Sequence, residues 1–437
     1  MAQVLESDFA QLGLDMIANM ALVEIPGVVV DLAFFRLQPL VEVVAQPFSR
    51  RLDVSPGLCV GHGLVFQAHG LFFCTCDFSF PQNCRNPGPI VNLAKQISQR
   101  PVNMTPHHKE GPQPALFTPN DPIQEAKGIT RLIQENHSAG QPFSEFCVLS
   151  RTLEHLMYTF EELVLAGIPC HIATSRCLVY EKPFIRPLLD NLRLTIEPDN
   201  RHAFQGILRT LYLKKNLVEE IKNNGGAQKF LLKDLLKLPI LEERQKKAIR
   251  TRIDLLSSLK DLSPGDAIRA CRESFFDRYT ENGYRYLLSP SREQAQETLD
   301  DLENKANRFN TLEEFLAFVD LVIQCYKEKP DNSQDRVSLL TIHGSKGLEF
   351  NTVFIAGAIE NLLPHQNTIE EESPRPFQIQ SEEQPVQEES RLLYVAITRS
   401  IQELYVSAPK QHKDKLAEIS RFLVNTNIQR SDAMLEQ

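Results

Sequence analysis

The chain has 437 residues with 42% hydrophobic and 24% charged content, ordinary for a soluble globular protein and enough for two or three domains with a sizeable core. Its net charge of −9 does not advertise nucleic-acid binding, although an acidic total can conceal a local basic groove. Nine cysteines without paired spacing read as reduced and intracellular. Glu6 and Asp8 leave no basic start for a secretory leader, and Glu24, Asp31, Arg36 and Glu42 exclude a membrane span from the apolar residues 21–48.

In chain order, residues 1–80 are apolar and rich in glycine and aromatics, with no recognisable motif. At Pro81 the pattern changes. Gln82-Asn-Cys-Arg-Asn-Pro-Gly-Pro-Ile-Val-Asn-Leu-Ala94 reads as a turn entering a helix, with proline near the first helical turn. Residues 146–149 predict a short buried strand. The following helix has Leu153, Leu156, Met157, Phe160, Leu163 and Val164 on one face, until Gly167 stops it and Pro169 prevents its resumption. From about 176 to 334 the pattern is almost wholly helical and highly charged. Further strands are predicted at 353–356 and 404–407, and the acidic, aperiodic residues 370–389 predict an exposed loop. Strands alternating with helices imply an α/β fold with a parallel, doubly wound sheet.

Two runs place polar chemistry at the end of a buried element. In Val337-Ser-Leu-Leu-Thr-Ile-His-Gly-Ser-Lys-Gly-Leu-Glu-Phe350, residues 337–342 predict a fully buried strand. It breaks at His343-Gly-Ser345, where small residues permit close approach of a ligand backbone, and Lys346 and Glu349 follow on a short helical start. In Ser390-Arg-Leu-Leu-Tyr-Val-Ala-Ile-Thr-Arg399, Leu392, Leu393, Ala396 and Ile397 form an apolar helix face. Arg391, Tyr394 and Thr398 take the opposite face, with Arg399 at the helix end.

These runs resemble motifs V and VI of superfamily 1 DNA helicases of the UvrD, PcrA and Rep type. The run from Gln82 resembles motif IV, whose usual Asn-Tyr-Arg-Ser core is altered here at Cys84 and Asn86. The resemblance covers residues 81–437 and corresponds to the C-terminal half of the family. It implies a RecA-like parallel sheet, the P-loop NTPase-like domain 2A, in two parts at 81–176 and 335–437. A mainly helical insertion, domain 2B, would occupy 177–334, and residues 1–80 stay unassigned. The implied protein is cytoplasmic, and its partner is single-stranded DNA or a single/double-strand junction.

By resemblance, Arg85 and Arg399 contact the γ-phosphate of ATP and stabilise charge developing in phosphoryl transfer. Glu349 matches a position that contacts the ribose. Thr341, His343 and Ser345 match residues near the single-stranded DNA backbone, where hydroxyl and imidazole groups bind phosphate without reading sequence. Tyr394 matches an aromatic to which we assign only packing or DNA proximity. The phosphate loop, Gly-x-x-x-x-Gly-Lys-Ser/Thr, and an acidic pair for magnesium are missing; Gly57-Leu-Cys-Val-Gly61-His-Gly has no lysine for a phosphate. ATP and Mg²⁺ are therefore implied cofactors of an incomplete site, and a separate polypeptide carrying the first RecA-like domain is an implied partner.

Plainer readings stand beside these. Arg85 taken alone is equally an ordinary surface arginine. Cys59, His62, His69, Cys74, Cys76 and Cys84 fit no zinc spacing and read better as scattered cysteines than as a metal cluster. The basic run Arg244-Gln-Lys-Lys-Ala-Ile-Arg-Thr-Arg252 suits duplex DNA or a solvated helix face. Three functions stay open: half of a split or truncated helicase, a non-enzymatic module binding DNA or a partner, and a divergent ATPase with its phosphate loop hidden before residue 80.

Overall fold

The computed structural model describes residues 61–67, 70–78, 82–98, 104–172, 178–211, 213, 216–219, 231–276, 292–328, 335–371, 385–413 and 415–431. Strands β1 (Gly61–Gln67) and β2 (Gly70–Phe78) make an antiparallel hairpin, which belongs to the first of two compact units. The sequence does not announce it, because Leu71, Phe72 and Phe73 run consecutively instead of alternating. The side chains of Cys59, His62, His69, Cys74 and Cys76, on which the metal reading turns, lie outside the described residues, while Cys84 is exposed with a free thiol.

The second unit begins with a short parallel pair, β3 (Gln82–Asn83) and β4 (Thr105–Pro106). A seven-stranded parallel sheet follows. Its members are β5 (Ala115–Phe117), β6 (Phe146–Ser150), β7 (Cys170–Ile172), β8 (Val337–Thr341), β9 (Phe350–Ile355), β10 (Ser400–Ser407) and, beyond a hairpin of β11 (Gln411–His412) and β12 (Lys415–Leu416), β13 (Gln429–Arg430). The spatial order is β13-β5-β10-β9-β6-β8-β7. Central β6 registers Val148 against Leu339 of β8 and against Phe354 of β9.

Helices α1 (Gly88–Ile97), α2 (Pro122–Ser138) and α3 (Leu153–Leu165) belong to the first half of this unit. Between β7 and β8 the described residues contain α4 (Arg186–Ile196), α5 (Arg201–Ile207), α6 (Glu243–Ser258), α7 (Pro264–Cys271), α8 (Arg292–Ala306) and α9 (Leu312–Lys327), and no strand. Then come α10 (Gln366–Glu371) and α11 (Pro385–Ile397). Boundaries follow local chemistry. Asp121 Oδ1 accepts the Ile123 and Gln124 amides at 2.8 Å, with Pro122 opening α2. Thr152 caps α3, and Gly167, at φ +67°, follows its C-terminus.

Period-two alternation divides the sheet between two cores. Phe146, Val148, Leu339 and Phe354 face α2 and α3; Cys147, Leu149, Leu340, Val353 and Ile355 face α1 and α11. Both faces are covered, so the strands read as continuous apolar runs. The first core extends without a break through α3 into α4–α9, where Leu188, Leu299 and Phe315 are fully buried.

Charge also crosses that boundary. Lys305 of α8, 4% exposed at its side chain, lies 3.0 Å from Glu161 of α3 and 3.3 Å from Asp301. Its ammonium sits 4.5 Å from the Tyr158 ring centre. Tyr180 Oη donates to Glu161 at 3.0 Å, Tyr158 Oη donates to Asp301 at 2.5 Å, and Arg308 pairs with Glu162. Burial works against the Lys305 charge, but Asp301 and Glu161 outweigh it and hold the lysine pKa above its ordinary value.

Asp190 of α4 is buried, and its Oδ2 has no hydrogen-bond partner. A methyl group at Gly206 would come within 1.8 Å of that oxygen. Burial pushes the carboxyl to about 7, against the pull of Arg186 and Arg193. A folded-state pKa raised above the unfolded value means that its stability contribution is complete below about 4 and is lost as pH climbs through about 7. Asp190→Asn should therefore raise the melting temperature clearly at pH 8, by much less at pH 5, and hardly at all at pH 4. Thermal melts of both proteins across that range check this, and parallel curves would overturn it.

Several sequence expectations need correction. Ile342 is buried but has left the strand, and Ser338 and Thr341 are half-buried, so the run is not buried throughout. The helical turn near motif V lies at His343–Ser345, and residues 346–349 are not helical. Thr398 is buried rather than on the outer face, because the chain turns into β10 there and its hydroxyl donates to the Val395 carbonyl at 3.0 Å. Glu389 is not in an exposed loop: it sits buried in α11, while residues 372–384 lie outside the described set. Among the described residues no helix is long and apolar enough to cross a membrane.

Candidate functional site

The segment 342–349 links the C-terminal end of β8 to the N-terminal end of β9, and candidate residues cluster at both ends. At the β8 end, Thr341 Oγ1 accepts the Gly344 amide at 3.2 Å and Ser345 Oγ donates to the Ile342 carbonyl at 2.8 Å, which closes the single turn. His343 and Gly344 are exposed on it. Ser345, the third expected residue, is fully buried, and its hydroxyl serves the turn. Burial, then the charges of Arg151 and Lys346, hold the His343 pKa below the ordinary histidine value, so its imidazole is neutral at physiological pH.

Arg151 was not among the candidate residues. It follows the fully buried β6 directly and grips Glu389 of α11 with two nitrogens, at 2.8 and 3.0 Å. Glu389 also accepts the His365 amide at 3.3 Å. The available signal was positional: ligands of open α/β sheets gather outside the carboxyl ends of strands, and an arginine one residue beyond a buried strand stands there.

At the β9 end, three of the predicted residues come together. Arg85 Nε lies 2.8 Å from Glu349 Oε2, both side chains being more than a third exposed. Arg399, at the end of α11, donates from Nη1 to the Leu348 carbonyl at 3.0 Å and from Nε to the Val395 carbonyl at 3.1 Å. Both arginines thus hold residues 348–349, one by side chain and one by backbone. Beneath them the turn is built by two asparagines. Asn83 Oδ1 accepts the Arg85 and Asn86 amides at 2.9 and 3.0 Å. Asn86, a departure from the motif IV pattern, is 1% exposed and donates to the Ser400 and Thr398 carbonyls at 2.6 and 3.3 Å. Tyr394 packs half-buried against the second core.

The site is thus a pair of arginines at the N-terminal end of the strands, tied by one loop to a short turn bearing an imidazole and a hydroxyl at their C-terminal end. Arginine pairs of this kind suit a polyphosphate, since each guanidinium is permanently charged and offers a fork of donors. Among the described residues no three His, Cys, Asp or Glu side chains could hold a metal ion.

Comparison with known proteins bears on the family. The model of the UvrD-like helicase C-terminal domain family matches residues 78–252 and 292–411. The protein named "Putative ATP-dependent DNA helicase YjcD" of Bacillus subtilis is 30% identical over 348 residues, covering 78% of this chain and 44% of that protein. The ATP-dependent DNA helicase PcrA of Bacillus subtilis is 26% identical and that of Staphylococcus epidermidis 27%, each over 75% of this chain and 46% of the relative. A solved C-terminal domain of a possible DNA helicase from Lactobacillus plantarum aligns over 79% of this chain and 94% of that one at 12% identity and a TM-score of 0.29, too loose to support any inference. The chain spans less than half the length of the curated relatives it matches. With the family model matching well over half of its residues, the chain belongs to the UvrD-like helicase C-terminal domain family.

Proposed function

We propose that the chain is the DNA-binding, arginine-supplying half of a cytoplasmic, UvrD-like ATP-dependent DNA helicase, whose ATP site is completed by a first RecA-like domain. The observation that carries this reading is the convergence of Arg85, Arg399 and Glu349 at one end of segment 342–349, with Thr341 and His343 at the other. Arg85 and Arg399 would bind the γ-phosphate and balance the charge that builds there, and Glu349 would take the ribose. Mg²⁺ needs oxygen ligands, which would come from the phosphates and the other domain. Thr341 and His343 would contact the DNA backbone; Ser345 would hold their turn.

Half of the usual DNA track would lie on the other domain, so few phosphates are neutralised and binding should fade quickly with salt. Anisotropy of a labelled single-stranded oligonucleotide should show weak, sequence-independent binding at low salt. Thr341→Ala with His343→Ala should weaken it severalfold. Binding indifferent to that double substitution would place DNA elsewhere, with the exposed Arg244, Lys247 and Arg250 of α6 the next surface to test. The chain alone should not hydrolyse ATP, lacking a phosphate-loop lysine. The second reading, a non-enzymatic DNA- or partner-binding module, is favoured by one observation: both arginines are engaged by the chain's own residues 348–349.

A further inference from the structure

We propose that Asn86 is a positioning residue that locks Arg85 and Arg399 into a single two-pronged clamp for a phosphate-bearing ligand. The inference rests on the nucleotide role proposed above. Its basis is a juxtaposition: the residue next to Arg85 holds the two carbonyls that flank Arg399, those of Thr398 and Ser400. The carbonyl between them, that of Arg399 itself, accepts the Phe350 amide at 3.0 Å. The backbone carrying Arg399 is thereby fixed from both sides.

The Asn86 carboxamide is fully used. Its nitrogen makes both donations to β10 and its vicinity, and its oxygen accepts Asn83 Nδ2 at 3.0 Å. Asn83 in turn accepts the Arg85 and Asn86 amides, so the turn carrying Arg85 has no independent freedom. At 1% exposure Asn86 cannot exchange these partners for water without opening the site. A serine, usual in the resembling motif, offers one hydroxyl donor where the carboxamide offers two. Two arginines on a shared rigid base bind one anion cooperatively, because the first contact places the second; on independent loops each must be ordered separately.

A double-mutant cycle on the full chain, with inorganic pyrophosphate as the probe and affinity read by titration calorimetry at low salt, tests this. Arg85→Ala and Arg399→Ala should each weaken binding about fivefold or more, and the double variant should lose little beyond either single one. In the Asn86→Ser background the two losses should instead multiply, with wild-type-like thermal unfolding. Should Asn86→Ser not fold, Asn83→Ala removes the support of the carboxamide without touching β10, and the same loss of coupling is expected. Coupling that survives in the folded variant would make Asn86 a purely structural link and overturn the proposal. If neither arginine substitution weakens pyrophosphate binding, the nucleotide reading fails first and the clamp falls with it.

Discussion

Mixing this chain with a separately produced first RecA-like domain of a related helicase should yield DNA-stimulated ATP hydrolysis that neither polypeptide shows alone, and Arg399→Ala should abolish most of the gain. The described residues offer two arginines for charge stabilisation and no carboxylate set for magnesium, so each partner would hold what the other lacks. Charge develops on the transferred phosphoryl oxygens, and a correctly placed guanidinium there is worth on the order of a thousandfold in rate. Arg399 is pre-aimed by the Val395 and Leu348 carbonyls. Arg399→Lys should recover only a small part, since a point charge cannot reproduce the planar fork. Steady-state phosphate release, with and without single-stranded DNA, is the measurement. An inactive mixture from a chain that still binds DNA would favour the non-enzymatic module.

The second large effect concerns stability. Lys305→Met should destabilise the fold by about 3–5 kcal/mol, the usual consequence of removing one partner from a buried ion pair. Glu161 would be left 1% exposed with only the Tyr180 hydroxyl to serve it. Burial already pushes the Glu161 carboxyl up, and Lys305 is the main influence pulling it down. Without the lysine the carboxyl would rise further, and a raised folded-state pKa yields stability that is present in acid and lost as pH rises. The variant's deficit should therefore be smaller at pH 5 than at pH 8. Lys305→Met with Glu161→Gln should recover part of the loss, since no charge stays buried. Urea unfolding at the two pH values reads both effects through the midpoint at unchanged slope. A single-variant loss below about 1 kcal/mol would mean that water reaches the pair.

How legible the molecule was depends on the sequence distance over which each feature is built. The strand at 146–150 and its helix were readable because an unbroken apolar run and a stop at Gly167 are local signals. Arg85, Glu349 and Arg399 were nameable from short runs, and the structure places them together. Asn86 looked like a motif blemish because its partners lie 312 and 314 residues away. Arg151 and Glu389 are 238 residues apart, so their pairing carries no trace in either run. Ser345 shows the opposite case: its hydroxyl turns back three residues to Ile342, a local competition with the backbone that motif position alone does not reveal.

The geometry of segment 342–349 also stores its slack in turns. Thr341 is level with Ser150 and Thr352 with Phe146 across β6, so Thr341 and Phe350 stand about 20 Å apart along the strands and about 10 Å sideways. The chain between them holds two successive turns: His343–Ser345, and a second closed by the Leu348 amide on the Ser345 carbonyl at 3.0 Å, with Gly347 at φ +83°. Its reserve of length is those two turns, of which the helical one would release about 1 Å per residue on unwinding. Drawing Leu348 and Glu349 outward would first part the Leu348 amide from Ser345, and only a longer pull would unseat Ser345 from Ile342 and swing His343, as a cord with two knots slips at the nearer one first.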